Sequence, residues 1–227
     1  MLESFPKVAI VDYALGNLYS IKHACERVGL ESIITSSRDE ILQADGVLLP
    51  GMGAYGEAMQ TLHKLDLVTV LQDYAASGRP LIGICLGIQL LLTESYEFGN
   101  HKGLGIIEGA VIPLDHPHEG ERELKIPQVG WNQLHASRSW DGTPLEDIPN
   151  NEYMYFVHSF VPKPQDVNVV LATTKYGGVE FCSSIQQKNI FACLFHPERS
   201  GIAGLRIYQN LAAQFKQRIQ MEQTHDT

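Results

Sequence analysis

Leu81-Ile82-Gly83-Ile84-Cys85-Leu86-Gly87-Ile88-Gln89-Leu90-Leu91-Leu92 decides how this chain folds. The apolar run up to Ile84 reads as a buried strand, and 88–92 reads as a helix. Between them stands Cys85, with Gly83 and Gly87 two residues to either side. A strand, a sharp corner and a helix make a nucleophile elbow, here with a thiol in place of the usual serine hydroxyl. The corner lifts the side chain out of the sheet and sets it at a helix N-terminus, where the partial positive charge favours an anionic sulfur. A buried core cysteine is the competing reading, because cysteine in an apolar run commonly ends in the core.

Upstream, strands at 8–11, 32–35 and 46–49 alternate with helices at 17–28, 55–65 and 67–76. Helix 17–28 carries Ile21, Ala24, Cys25 and Val28 on one face. Pro50 stops the third strand, and Ser77-Gly78-Arg79-Pro80 turns the chain into the elbow strand. Such alternation implies a parallel sheet with helices on both faces. Downstream, β-branched and aromatic residues recur at 104–112, 129–135, 153–161, 169–174 and 179–194, with turns between them. The last of these reads as a hairpin about Gln187-Lys188-Asn189. A closing amphipathic helix at 201–221 bears Ile202, Leu205, Ile207, Leu211, Phe215 and Ile219. Segments 115–123 and 137–150, rich in charge, proline and glycine, are the least ordered candidates, and the polar tail 222–227 is expected to fray. The expectation is α/β: a single domain over 1–227 with a central, mostly parallel sheet flanked by helices, plus additional antiparallel strands in the second half.

A chain of 227 residues can bury a core of its own. Its formal charge of −9 argues against nucleic acid or an anionic membrane as the main partner. Cys25, Cys85, Cys182 and Cys193 are spaced neither as a zinc site nor as a disulfide framework, so free thiols in a reducing cytoplasm are expected. The first residues lack the pattern of a secretion signal, and 81–92 is too short and too broken to span a bilayer. His116 and His118 alternate in a polar loop without a third ligand nearby, so no metal is expected.

A cysteine nucleophile needs a base and a group to orient that base. His196-Pro197-Glu198 follows the apolar run 190–195. Residues two apart in an extended segment project to the same side, and Pro197 opposes helix. His196 and Glu198 are therefore expected side by side at a strand end; an incidental exposed polar pair is the alternative. Pro50-Gly51-Met52-Gly53-Ala54-Tyr55-Gly56 matches the glycine spacing of a dinucleotide loop. The following stretch reads as helix rather than as a strand ending in a ribose-binding acid, and the loop does not follow the first strand. Bare backbone here can instead present N–H groups to a developing oxyanion, with the Leu86 N–H as a second donor. Gly56 reads as part of a tight turn, His158 as structural, and Cys193 as a buried thiol facing away from His196.

Together, 83–90, 196–198 and 50–53 resemble the class I, or triad, glutamine amidotransferases. Asp12-Tyr13, Gly16-Asn17-Leu18, Gly130-Trp131-Asn132 and Tyr155-Phe156-Val157-His158-Ser159, with Ser200-Gly201, narrow the resemblance to one branch. That branch holds the glutaminase subunits of imidazole glycerol phosphate synthases, and the likeness runs nearly end to end. It implies hydrolysis of L-glutamine to glutamate and ammonia without a cofactor. Cys85 would be the nucleophile, His196 the acid/base and Glu198 its orienter. Gly51, Met52, Gly53 and Leu86 would surround the oxyanion, and Gln89 would help hold the substrate. The resemblance further implies a heterodimer with a (β/α)8 cyclase, which uses the ammonia to make imidazole glycerol phosphate and 5-aminoimidazole-4-carboxamide ribonucleotide in histidine biosynthesis. Asn17, Gln128, Trp131, Tyr155 and Arg199 would belong to the face that meets it. Glycine is usual in the branch where Ala14 stands, histidine at Gln128 and lysine at Arg199. A glutaminase serving another ammonia-using synthase and a non-catalytic docking subunit are the alternative readings.

Overall fold

Strands whose residues are apolar on both faces are stable only inside a sheet covered on both sides, and 8–11, 46–51, 81–84 and 190–193 answer that description, buried residue by residue. The structure, a computed structural model, describes residues 5–225. Its strands in chain order begin with β1 (Lys7–Val11), β2 (Glu31–Thr35), β3 (Gly46–Gly51), β4 (Leu81–Cys85), β5 (Leu92–Ser95), β6 (His101–Lys102) and β7 (Ile107–Pro113). There follow β8 (His118–Glu119), β9 (Arg122–Glu123), β10 (Gln128–Gln133), β11 (His135–Ala136), β12 (Tyr153–His158) and β13 (Phe160–Pro164). The last are β14 (Val170–Tyr176), β15 (Val179–Gln187) and β16 (Ile190–Cys193). The helices are α1 (Leu18–Arg27), α2 (Arg38–Gln43), α3 (Tyr55–Lys64), α4 (Leu67–Ala76), α5 (Leu86–Leu90) and α6 (Gly201–His225).

Eight strands form the main sheet in the order β11-β14-β15-β16-β4-β3-β1-β2. From β16 to β2 every neighbour is parallel; β11, β14 and β15 extend the sheet antiparallel. The expected α/β architecture with antiparallel additions is therefore found. A second sheet, β13-β7-β5-β6, and the ribbon β10-β12 lie beyond it.

The elbow is held by close packing. Cys85 has φ 56 and ψ −113, a conformation rarely open to an L-residue. A methyl group on Gly87 would stand 1.9 Å from the Leu49 carbonyl oxygen, and one on Gly83 only 3.0 Å from the Gly87 backbone. Bare backbone thus lets α5 lie directly against β3 and β4.

Four expectations need correction. Residues 88–92 are not one helix: α5 ends at Leu90 and Leu92 already belongs to β5. The N–H groups of Leu104, Ile106, Ile107 and Gly105 take the carbonyls of Leu90, Leu91 and Leu92, which a longer helix would have used itself. Residues 153–161 are not one strand either. His158 pairs with Gln128, Phe160 pairs with Pro113, and the chain passes from one sheet to the other at Ser159. The tail at 222–225 continues α6 rather than fraying, while 226–227 lie outside the described residues. Finally, α2 was not expected, although Ser37 caps it by accepting the Glu40 N–H at 3.5 Å. Its signal is the Ser-x-x-Glu spacing that opens many helices.

Replacing Gly87 by alanine should lower stability by about 1–3 kcal/mol or more, because neither backbone can yield. Gly53→Ala, with φ +93 but open space around it, should cost only about 1–2 kcal/mol of backbone strain. Denaturant midpoints of the two variants check this, and equal losses would contradict the packing account.

Candidate active site

Parallel pairing of β16 with β4 brings Cys193 level with Ile84. The chain continuing from β16 therefore emerges at the same rim as Cys85. His196 stands in extended backbone (φ −104, ψ 93), fixed by its N–H donating to the Tyr155 carbonyl at 2.9 Å. Pro197 then opens a single 3₁₀ turn, Pro197–Arg199, instead of prolonging the strand. Proline suits the first position of such a turn, whose N–H has no partner to lose. The turn, rather than strand alternation, swings Glu198 back beside His196: Nδ1 to Oε1 is 2.8 Å. The Glu198 side chain is fully buried.

Cys85 lines the same cleft and lies near enough to act on the charge of His196. Burial pushes the His196 pKa down, but Cys85 and the hydrogen-bonded Glu198 more than offset this and lift it to about 10. The imidazole is thus held as a cation between sulfur and carboxylate. Cys85 Sγ lies 3.8 Å from the Val157 carbonyl oxygen. Cys25, Cys182 and Cys193 are buried free thiols. Burial pushes Cys25 and Cys182 up to about 12 and Cys193 well above its ordinary value, so none of the three offers a ready thiolate.

A cleft of about 280 Å³ opens over this array, and its lining includes Met52, Gly53, Leu86, Gln89 and Arg199. Gly51, at the end of β3, pairs in register with Cys85, so 52–53 leave the sheet beside the sulfur. Tyr13 anchors this strand end by donating its hydroxyl to the Pro50 carbonyl at 2.6 Å. Gly51 must be glycine, because a methyl group there would sit 2.3 Å from that hydroxyl. Gly56 does not face the cleft; it packs against the His101 ring. Gln89 is buried and donates to the Phe160 carbonyl at 3.3 Å.

Glu97 also borders the cleft, where its carboxylate accepts the Tyr55 N–H. Sequence reasoning missed it: an isolated acid after β5 carries no spacing signal, and only the turn from β5 toward β6 brings it here. The crossing at 157–160 walls the opposite side. His158 in that wall is structural, as expected. Burial lowers its pKa to about 4, and its ring nitrogens lie 3.1 Å from the Phe160 carbonyl and 3.1 Å from Gln128 Oε1.

The expected partner-face residues divide. Arg199 lies over the Tyr155 ring at 4.5 Å, and Tyr155 meets Trp131 edge-on at 5.9 Å, leaving Trp131 55% exposed. Asn17 stands half-buried at the start of α1 and does not line the cleft. Gln128 is a correction: it is buried against His158 and offers no side chain to a partner. Ala14 sits at φ 66 in the left-handed region, where glycine is favoured on conformational grounds alone. No group of three metal-ligating side chains occurs among the described residues, and none of their helices is long and apolar enough to cross a membrane.

A thiol, a cationic imidazole and a buried carboxylate in sequence can carry acyl transfer from an amide. The sequence carries the same assignment, for residues 9–214 match the family described as Glutamine amidotransferase class-I. The chain belongs to that family. More narrowly, it is 42% identical over 205 residues to the imidazole glycerol phosphate synthase subunit HisH of Geobacter sulfurreducens, covering 90% of this chain and 97% of that protein. HisH of Aquifex aeolicus is likewise 42% identical over 205 residues, covering 90% and 95%. Among solved structures, PurLQS from Thermotoga maritima superposes with a TM-score of 0.71 at 20% identity, covering 93% of this chain and 99% of that one. A crystal structure described as a glutamine amidotransferase gives 0.68 at 19% identity, covering 90% and 98%. These two likenesses speak for the fold.

Glu198→Gln removes the negative charge beside the imidazolium, so the His196 pKa should fall from about 10 toward its ordinary 6.5. The raised pKa favours the folded state fully below pH 6.5 and ceases to do so as pH rises through about 10. The variant should therefore lose stability at neutral pH and below, and little above pH 10. Histidine NMR titration with denaturation at several pH values measures both; an unmoved midpoint would contradict the assignment.

Proposed function

We propose that this chain is the glutaminase subunit of an imidazole glycerol phosphate synthase, hydrolysing L-glutamine and handing the ammonia to a cyclase subunit in histidine biosynthesis. The observation that carries the reading is the 42% identity with HisH proteins over 205 residues, which goes beyond the general family match. The cleft supports the substrate. Glu97 supplies negative charge suited to the α-ammonium of glutamine, and Gln89 stands one helical turn beyond Cys85, within the same cavity.

In the proposed reaction the Cys85 sulfur attacks the side-chain amide carbon, and backbone N–H groups about 51–53 and Leu86 receive the developing oxyanion. His196 passes its proton to the nitrogen, the C–N bond breaks, and ammonia leaves a γ-glutamyl thioester. His196 then takes a proton from water, whose oxygen attacks the thioester and releases glutamate. Glu198 keeps the imidazole oriented and stabilises its charge throughout. Ammonia released to neutral water would become ammonium and lose its nucleophilicity, so an acceptor subunit must cover the exit. The exposed stack of Trp131, Tyr155 and Arg199 beside the cleft is suited to such a partner, which the reading takes to be a (β/α)8 cyclase forming a heterodimer. A cytoplasmic setting accords with four free thiols.

Cys85→Ala should abolish glutamine hydrolysis, by about 10³-fold or more, while leaving circular dichroism and thermal melting near those of the unaltered chain. Ammonia release assayed with and without a co-expressed (β/α)8 cyclase checks the rest. Turnover retained in the variant would overturn the nucleophile, and indifference to the cyclase would favour another synthase as acceptor.

A further inference from the structure

Glu198 holds His196 with one carboxylate oxygen only. Its other oxygen, Oε2, is fully buried, and no protein group lies within hydrogen-bonding distance. A buried carboxylate with an unserved oxygen is costly, on the order of 1–3 kcal/mol or more, so a donor is to be sought nearby. The Tyr208 hydroxyl is in the same condition: 1% of the residue is exposed and its Oη has no protein partner. Tyr208 belongs to α6, which packs against both α1 and the 3₁₀ turn that carries Glu198. Both residues border one cleft, about 480 Å³, between α1 and α6 on the side of the turn away from the substrate cavity. Ser20, His23 and Arg27 stand at the same cleft.

The two chemistries are complementary. An ionised carboxylate only accepts, and a phenol donates one proton. Burial raises the Tyr208 pKa well above its ordinary value, with the Glu198 charge adding to the effect. The hydroxyl therefore keeps its proton at any pH where the enzyme would work, and it feels the Glu198 charge. Cys25 and Cys193, the other groups that raise it, are thiols with their own burial-raised pKa values and are weak donors at best.

We propose that Tyr208 is a positioning residue for the Cys85–His196–Glu198 array, its hydroxyl serving the free oxygen of Glu198 through a single water supplied by the α1–α6 cleft. Such a water would have two polar partners, the Tyr208 hydroxyl as donor and Glu198 Oε2 as acceptor. The relay then runs from sulfur through imidazole and carboxylate to a phenol on the last helix. With both oxygens engaged, the carboxylate cannot rotate away from Nδ1, and its basicity toward the imidazolium is moderated. The inference rests on the reading of those three residues as the triad.

Tyr208→Phe removes the hydroxyl and keeps the ring. The carboxylate, left with one hydrogen bond, becomes the stronger acceptor, so the His196 titration midpoint should move upward in histidine NMR, its signal identified by its absence in His196→Asn. Glutamine turnover in the presence of the cyclase should fall by about two- to tenfold in kcat, the worth of one net hydrogen bond, with KM unchanged. An upward midpoint supports the relay. A midpoint that is unmoved or moves down, whatever happens to kcat or to stability, overturns it and leaves Tyr208 a packing residue. The titration requires no turnover, so this result is independent of the Cys85→Ala assay that tests the triad itself.

Discussion

Everything at the site depends on one pairing, β16 lying parallel beside β4. Cys85 and His196 are far apart in sequence, yet parallel strands end on the same rim, and the register Cys193–Ile84 sets how far each continuation overshoots. Had β16 joined the sheet antiparallel, like β15 and β14, the imidazole would leave from the opposite edge. Each hydrogen bond in that ladder contributes little alone. Together with the fully apolar interiors of both strands, they fix a distance that the chemistry cannot tolerate being wrong by an ångström.

Local geometry then converts nearness into orientation. On one side the elbow holds Cys85 at positive φ, with Gly83 and Gly87 admitting backbone where a methyl group would collide. On the other, Pro197 turns the chain so that Glu198 faces back to His196. Both devices are strained or tight, and both are stabilised by neighbours rather than by themselves: Leu49 and Leu91 around the glycines, and α6 over the turn. The resulting charge order, carboxylate then imidazolium then sulfur, lies at the end of the sheet where β4 runs into α5.

Much of this was legible in the sequence because it rests on local rules. Glycine spacing about Cys85, the alternation of strands and helices before it, and the His-x-Glu after an apolar run each have a short-range cause. What escaped has a long-range one. The end of α5 at Leu90 is decided by N–H groups from 104–107, and the break at Ser159 by which strands are available to pair on either side. Glu97 reaches the cleft only because β5 and β6 fold back there. Gln128 is placed on the partner face by the family resemblance, but strand pairing with His158 buries it. The Ser37 cap of α2, by contrast, has a short-range signal in its Ser-x-x-Glu spacing.

The passage of the chain at Ser159 has a mechanical meaning. The segment above the sulfur is clamped at both ends by separate ladders, β10–β12 before it and β7–β13 after it. Lifting it would break hydrogen bonds in two sheets at once, so that side of the cavity behaves as a fixed mould, not a hinged jaw. Discrimination between glutamine and its near relatives there is then a matter of fit to a preset shape, and adaptability must come from the opposite lip, where Met52 and the unencumbered Gly53 are free of such restraint.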